Sequence, residues 1–305
     1  MINIKIILLF LIGFLNLLLG AIIYSHQKSS ETNLSYSLLA TGISCWSFGL
    51  GFFKLTETIS RAYIWNIVFI IAAGFIASSF LHFTLLFPSQ DKRLKRSTKI
   101  LLYLPNLIVI IMAITPGVMI KRIVHHSWGK ESIAGWGYWL YALYFTVFMS
   151  IGYFELYKKY KKFEKKIKKA QVKIVFLGTL VPVILGAIFN LYLVLLNNYK
   201  YVWLGPYFTF VMVVAIAYAI LKHHLFNIRV IATELLTALL IVLFFINIFF
   251  YQNVGQLSFN IIAFLGGTVI GILLIRSVLK QVRYRKRVEE AYKRLKKLDE
   301  AKTPN

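Results

Sequence analysis

Few side chains in this sequence of 305 residues could do chemistry, and their spacing matches no catalytic or metal-binding pattern. Two histidine pairs, His125-His126 and His223-His224, are the first candidates for metal ligands. Adjacent residues on a helix point about 100° apart, so neither pair can readily hold one ion, and no cysteine or carboxylate completes a ligand set. The sequence therefore predicts no metal, no cofactor and no catalytic centre.

Three ionisable residues, His82, Glu155 and Glu234, lie within or at the ends of long apolar stretches. A titratable group at membrane depth is by default a functional hypothesis. His82 is either such a site or a neutral imidazole that is hydrogen-bonded between helices. The two glutamates either pair with Lys158 or Arg229 and relay movement, or are interfacial carboxylates that face a cation-rich surface.

The elements that must position these residues are long apolar stretches. Hydrophobic residues make up 59% of the chain, in runs of about 20 residues, the length that crosses roughly 30 Å of hydrocarbon as a helix. We predict an all-α polytopic membrane helix bundle of about nine spans with a C-terminal cytoplasmic helix. The predicted spans are Ile4–Ser25, Tyr36–Phe53, Tyr63–Phe87, Ile100–Ile120, Trp136–Tyr157, Ile174–Leu196, Trp203–Leu221, Ile231–Tyr251 and Phe259–Leu279.

Prolines and one polar stretch interrupt this pattern. Pro105 and Pro116 lie in the predicted fourth span and Pro182 lies in the sixth. We expect each to bend its helix, because proline removes a backbone hydrogen bond that neighbouring groups must replace. The polar stretch Lys121–Gly135 is predicted to be a loop between the fourth and fifth spans.

The distribution of positive charge orients the spans. The formal net charge of +24 would suggest a nucleic-acid partner in a soluble protein. Here 28 of the 35 Lys and Arg residues fall in alternate inter-span segments and the tail, as expected for segments that stay on the cytoplasmic side. We therefore predict an external N-terminus, a cytoplasmic C-terminus, contact with anionic lipid at the cytoplasmic face, and no nucleic-acid partner.

The polar tail Lys280–Asn305 has the pattern of a helix with one apolar seam. Such a helix either lies alone on anionic headgroups or forms a parallel two-helix coiled coil as it leaves the membrane. The coiled coil predicts a homodimer through the tail. The seam residues are Gln281, Tyr284, Val288, Ala291, Leu295 and Leu298.

Aromatic residues crowd the predicted outer ends of the fifth, sixth and seventh spans. They form either a belt at headgroup level or, in part, a pocket open to the outside for a small apolar or cationic ligand. In the second interpretation Asn66 and Asn106 are polar points deeper in the bundle. The predicted ligand-binding residues are Trp136, Trp139, Tyr141, Asn190, Trp203 and Tyr207.

Several short motifs resemble the N-terminal seven-helix membrane region of bacterial sensor histidine kinases. These motifs are Leu204-Gly205-Pro206, Ala217-Tyr218-Ala219-Ile220, and Lys222-His223-His224-Leu225-Phe226-Asn227-Ile228-Arg229. The segment Glu290–Lys302 resembles the helix that precedes the phosphoacceptor histidine in such kinases. No histidine box follows Lys302, and no ATP lid is recognisable. The resemblance therefore implies a sensory, signal-transmitting module of the bacterial inner membrane, without the kinase core and not itself an enzyme.

The resemblance also implies a division of the chain. Residues 1–229 would form the seven-span sensor region, 230–279 two further transmembrane helices, and 280–305 a cytoplasmic signalling helix. A separate kinase or response regulator is an expected partner. The alternative function is a small-molecule transporter or channel. The residues predicted to relay the signal are Glu155, Lys222, His223, Phe226, Arg229 and Glu234.

Overall fold

The computed structural model of the chain describes residues 4–126, 129–223, 237, 240–241, 244 and 254–302. The chain divides into two compact units, Met1–Ile228 and Arg229–Asn305. Within the described residues the regular structure is helical except for one β-hairpin, and eight helices are long and apolar enough to cross a membrane. The predicted fold class, an all-α polytopic membrane bundle, is confirmed.

The first unit contains seven long helices in its described part. They are α1 (Ile4–His26), α2 (Glu31–Leu55), α3 (Ile59–Leu86), α4 (Arg96–Ile114), α5 (Gly137–Lys162), α6 (Lys166–Ala187) and α7 (Gly205–His223). After α6 the chain continues through a π-helical turn, Ile188–Tyr192, and a final α-helical turn, Leu193–Leu195. A 3-10 turn, Val202–Leu204, leads into α7.

The described part of the second unit is dominated by one long helix, α8 (Val254–Lys302). Its apolar part, Gly255–Ser277, is a candidate span and overlaps the predicted span Phe259–Leu279. At about 1.5 Å per residue, the helix is longer than the roughly 30 Å hydrocarbon layer, so its polar part extends beyond the layer. The predicted span Ile231–Tyr251 lies outside the described residues, apart from four positions.

The helices of the first unit form a ring. Helices α1, α2, α3, α5, α6 and α7 each pack on the next, and α7 returns to α1. Helix α4 packs outside the ring against α3 and α5. Its outer face carries Leu101 and Leu107, which are 69% and 58% exposed. Because large exposed apolar faces mark surfaces that meet a membrane or a partner, this face fits contact with lipid.

Small residues allow the first three helices to approach closely. A Cβ placed on Gly49 of α2 would lie 2.9 Å from the Cβ of Phe69 on α3, and one on Gly20 of α1 would lie 2.9 Å from the Cβ of Ala40 on α2. Without a hydrophobic driving force between helices in lipid, such close backbone contact is a main source of association. The small residues of α2 therefore fix the α1–α2–α3 packing.

Two predictions for the segment between α4 and α5 were wrong. Helix α4 ends at Ile114, so Pro116 lies beyond it, whereas Pro105 and Pro182 do lie inside helices. The stretch predicted as a loop is an antiparallel hairpin of β1 (Ile120–His126) and β2 (Gly129–Ala134). Polar and apolar residues do not alternate strictly along β1, and its register shifts between Ile120 and Arg122, so the segment has no regular strand pattern in the sequence.

Candidate functional site

A cavity of about 80 Å³ lies within the helix ring. Helices α2, α3, α5, α6 and α7 line it, mostly with apolar side chains. Trp46, Phe80 and Phe145 supply much of its aromatic surface. Concave, largely apolar sites with a few placed polar groups are typical of small-molecule binding. The cavity is therefore the leading candidate for a ligand site.

The polar side chains of the cavity bond mainly to protein groups. The Tyr138 hydroxyl donates to the Asn190 carbonyl at 2.6 Å. Thr179 donates through Oγ1 to the Val175 carbonyl at 2.7 Å and accepts from the Tyr153 hydroxyl at 3.2 Å. These bonds fix the side chains in place, so that the cavity has a defined shape and offers mostly apolar surface to a ligand.

The π-helical turn places Asn190 against the start of α7. In the amide orientation that satisfies both ends, Asn190 donates to the Val202 carbonyl at 2.7 Å and accepts from the Gly205 amide at 3.2 Å. A Cβ at Gly205 would lie 1.7 Å from the Asn190 amide and 2.9 Å from the Trp46 ring. The Leu-Gly-Pro motif thus needs its glycine so that the start of α7 can approach Asn190 and Trp46 closely. The π-helical turn that carries Asn190 is itself a feature often found at functional sites.

The cavity brings together only some of the residues predicted to bind a ligand. Tyr141 and Asn190 line it. Trp136 and Trp139 are 65% and 63% exposed and are not part of its lining. Trp136 immediately precedes α5, and Trp139 lies in its first turn. Their exposed positions fit the belt interpretation of the aromatic residues.

The other two predicted residues, Trp203 and Tyr207, connect α7 to α1. The Lys5 ammonium lies 4.4 Å from the centre of the Trp203 ring, and the Tyr207 hydroxyl donates to the Lys5 carbonyl. The two rings also contact each other edge to face, with centroids 5.3 Å apart. Both therefore help to close the helix ring, and neither lines the cavity.

A second, smaller pocket of about 40 Å³ lies beneath the hairpin. Lys54 of α2, Asn66 of α3, and Lys130 and Ser132 of β2 are among its polar lining residues. Asn66 is fully buried and donates through Nδ2 to the Ser132 hydroxyl. Sequence reasoning identified Asn66 as a buried polar point but missed both lysines, because a single lysine in a polar stretch gives no signal that it is buried.

The electrostatics of this pocket are dominated by cations. Lys130 is only 7% exposed, and burial lowers its pKa, an effect that the carboxylate of Glu57 opposes. Glu131 also lines the pocket, but its carboxylate is 2.6 Å from His126 Nε2. The acidic group of the pocket thus already has a partner.

His82 belongs to a hydrogen-bond network at the opposite end of the bundle. Its Nε2 lies 3.0 Å from Oε1 of Glu31, and its Nδ1 lies 3.0 Å from the Tyr103 hydroxyl. The same carboxylate oxygen is 3.2 Å from Lys99 Nζ and accepts from the Leu94 amide at 3.4 Å. These contacts fit one of the two interpretations of His82, an imidazole that is hydrogen-bonded between helices. Sequence reasoning missed Glu31, because it lay in a presumed inter-span segment.

Lys159, in the last turn of α5, has a structural role. Lys159 donates through Nζ to the carbonyls of Thr84, Leu85 and Phe87 at 2.6, 2.9 and 2.6 Å. These carbonyls lie at or just beyond the end of α3, where the last helical carbonyls lack partners. Lys159 therefore caps α3 and fastens α5 to it.

The residues predicted to relay a signal are only partly covered by the structure. Glu155 accepts from Lys158 at 3.4 Å on the surface of α5, as one of its two interpretations anticipated. Lys222 and His223 lie in the last turn of α7. Phe226, Arg229 and Glu234 lie outside the described residues.

Comparison with known proteins identifies the family of this chain. The family described as the N-terminal 7TM region of histidine kinase matches residues 8–229. This range includes nearly all of the six ring helices, α4, the hairpin, both pockets and the His82 network. No curated protein matches the chain. The match covers well over half of the chain, and its seven transmembrane helices correspond to α1–α7. The chain therefore belongs to the family of N-terminal seven-transmembrane regions of histidine kinases, and it is a multi-pass membrane protein with a sensor region for signal transduction.

Proposed function

We propose that this chain is a membrane-embedded sensor that binds a small apolar ligand in the central cavity and passes the resulting change to a cytoplasmic helix. The observation that carries the proposal is the position of Asn190. Its side chain lies at the cavity and bonds to Val202 and Gly205, the residues through which the chain enters α7. A ligand that fills the cavity therefore contacts the start of the helix that leads out of the ring.

The route of the signal follows α7. This helix begins at Gly205 and ends at His223, within the basic stretch Lys222–Arg229 through which the chain continues. Helix α6 packs closely on α7 at Gly178, where an added Cβ would lie 2.3 Å from the Cβ of Ala215. Because packed helices shift as rigid bodies rather than deform continuously, a change at Asn190 would displace the whole of α7.

The orientation of the protein follows from its charges. The connections between α3 and α4 and between α5 and α6 are rich in Lys and Arg, as is the tail. Such segments stay on the cytoplasmic side, which places the His82 network inside and the hairpin outside the inner membrane. The N-terminus is then external and the C-terminus cytoplasmic.

The output of the sensor is the polar part of α8. Tyr284 and Val288, two residues of the predicted seam, are 56% and 68% exposed. Exposed apolar residues at heptad spacing suit a parallel two-helix coil, so we infer a homodimer through this helix. The partner that receives the signal is a kinase core or a response regulator, and the membrane region itself binds and relays without catalysing a reaction.

The test uses a kinase core grafted after Lys302 and two matched variants of α6. Val183 lines the cavity, whereas Val181 on the same helix is 50% exposed. Benzene serves as the apolar probe, and autophosphorylation is measured in nanodiscs. We expect benzene to change the phosphorylation of the unsubstituted chimera and of Val181→Phe, and to have no effect on Val183→Phe, whose cavity is filled. An undiminished benzene response in Val183→Phe would contradict the proposal.

A further inference from the structure

The two pockets of the first unit are neighbours with opposite chemistry. Phe69, Ile70, Tyr138 and Val202 line both of them. On one side of these shared residues the lining is almost wholly apolar, and on the other side it includes two lysines. A single ligand with an apolar chain and a charged head would match both linings at once.

The charge of the hairpin pocket favours an anion. Lys54 and Lys130 line the same small pocket, and among the described residues no carboxylate lies within 4.0 Å of either ammonium group. The carboxylate of Glu131 is paired with His126. Buried cations are normally paired, so an anion in the pocket would give Lys130 the close partner that it lacks.

Asn66 is a buried polar side chain of the same pocket. It is fully buried, and its Oδ1 has no hydrogen-bond partner, while Nδ2 donates to Ser132. Buried side-chain polar atoms nearly always have a partner. Because Oδ1 is an acceptor and an ionised carboxylate only accepts, this end of the amide fits a hydrogen-bond donor and not the carboxylate itself.

The size of the hairpin pocket limits the head group. Its volume is about 40 Å³, and one water molecule needs roughly 10–15 Å³ of such space. The pocket thus holds a group of a few heavy atoms, such as a carboxylate, but has no room for a bulky metabolite.

We propose that the two pockets together bind one amphipathic carboxylate, with its head at Lys54 and Lys130 and its apolar chain in the central cavity. The inference rests on the proposed function, because it assigns the class of ligand that the cavity receives. It also gives the hairpin a role. The hairpin carries Lys130 and Ser132 over the pocket, so head-group binding joins β2 to α2 and α3.

The first experiment measures how affinity depends on chain length. The full chain is placed in phosphatidylcholine nanodiscs and titrated calorimetrically with butanoate, hexanoate and octanoate, with empty nanodiscs as the reference. We expect binding to tighten roughly fourfold for each added methylene, the equivalent of about 0.8 kcal/mol per buried CH₂ group. Equal affinity for the three acids would overturn the proposal.

The second experiment removes the head-group contacts. Lys130→Met and Lys54→Met should each weaken hexanoate binding at least tenfold and leave hexanol binding unchanged. Lys121→Met is the matched control, because it removes the same charge from an exposed position in the same hairpin. Equal hexanoate affinity in Lys130→Met and Lys121→Met, or in Lys54→Met and the control, would overturn the proposal.

A third arm asks whether the head group belongs to a free acid or to a membrane lipid. Nanodiscs that contain phosphatidylglycerol are compared with nanodiscs of phosphatidylcholine alone. Unchanged hexanoate binding supports a free acid. Competition that disappears in Lys130→Met supports the same site occupied by an anionic lipid, whereas competition that persists in that variant contradicts the site.

Two further measurements show whether a negative result contradicts the amphipathic ligand, reflects misfolding of a variant, or contradicts the proposed function. Because a buried cation without a close partner is unfavourable, unliganded Lys130→Met should melt no lower than the unsubstituted protein, and a purely structural lysine would give a lower melting temperature. If that variant does not fold, Lys54→Met decides the outcome. A benzene response that requires an open cavity, together with hexanoate binding that ignores both lysines, would leave the proposed function standing and remove only the amphipathic ligand.

Discussion

The central cavity and the His82 network handle polar groups in opposite ways. In the network, one oxygen of Glu31 serves His82, Lys99 and the Leu94 amide. In the cavity, polar side chains such as Thr179 bond to protein groups and leave apolar surface towards the empty space. The difference teaches that the protein itself satisfies the charges of the His82 network, whereas a ligand can enter the central cavity without displacing an ion pair.

The helices are also joined differently in two parts of the bundle. On one side Ser78 of α3 donates to the Leu102 carbonyl of α4 at 2.7 Å and lies 2.7 Å from the Tyr144 hydroxyl of α5. Asn106 donates to the same serine at 2.8 Å. On the other side α6 and α7 meet through small residues and the Asn190 bridge. We therefore expect α3, α4 and α5 to form the fixed frame and α7 to be the helix that moves.

The largest expected effect breaks the closed network. Glu31→Ala removes the carboxylate that serves His82 and Lys99, and we expect it to lower the free energy of unfolding by about 2–3 kcal/mol, because buried partners lose charge-assisted hydrogen bonds. Glu155→Ala is the control, since its pair with Lys158 lies on the surface of α5 and is worth about 0–0.5 kcal/mol. Equilibrium unfolding in mixed micelles measures both, and equal losses would contradict the contrast between the two carboxylates.

A smaller effect is expected at the junction of the cavity and α7. Gly205→Ala would force the Asn190 amide and the Trp46 ring apart, and we expect a loss of about 1–3 kcal/mol through overpacking. A Cβ at Gly186, another cavity residue, would meet nothing within 4 Å, so Gly186→Ala should be neutral or stabilising by up to about 1 kcal/mol. The same unfolding assay measures both variants, and a neutral Gly205→Ala would show that the junction is not tightly packed.

The smallest effect concerns the cap of α3. Lys159→Met keeps most of the aliphatic stem but removes three hydrogen bonds to carbonyls, and we expect a loss of about 1–2 kcal/mol. Lys162→Met changes an exposed lysine of the same helix and should cost less than about 0.5 kcal/mol. If the melting temperature falls by the same amount in both variants, Lys159 contributes only its positive charge and not its hydrogen bonds to α3.

The sequence was sufficient to predict the elements that depend on hydrophobic length. Runs of about 20 apolar residues specify membrane helices almost independently of their neighbours, so each of α1–α7 overlaps a predicted span, although α6 begins at Lys166 and not at Ile174. The hairpin was missed because a short two-stranded ribbon depends on its packing against the bundle. Ile120 is 1% exposed and Lys130 is 7% exposed, and neither burial can be inferred from the polar stretch itself.

The candidate site was predictable only in part, for a related reason. Tyr141 and Asn190, which line the cavity, could be singled out because a polar or aromatic residue within a span has few alternatives to facing the protein. Trp136 and Trp139 could not be separated from them, since the rotation of α5 about its axis decides which aromatic residues face inward. The partnership of His82 with Glu31 joins residues that are far apart in the chain, and a single sequence contains no signal for such pairing.

The most direct test of the central claim is diffraction from crystals of the full chain under xenon pressure. Xenon is an apolar probe that binds in dry cavities, and its anomalous signal locates it without a fitted ligand. The account predicts a xenon peak enclosed by Trp46, Tyr141 and Asn190 in the unsubstituted protein and in Val181→Phe, and no peak there in Val183→Phe. Xenon found only on the lipid-facing surface of the unsubstituted protein would contradict the claim that this bundle receives its ligand at its centre.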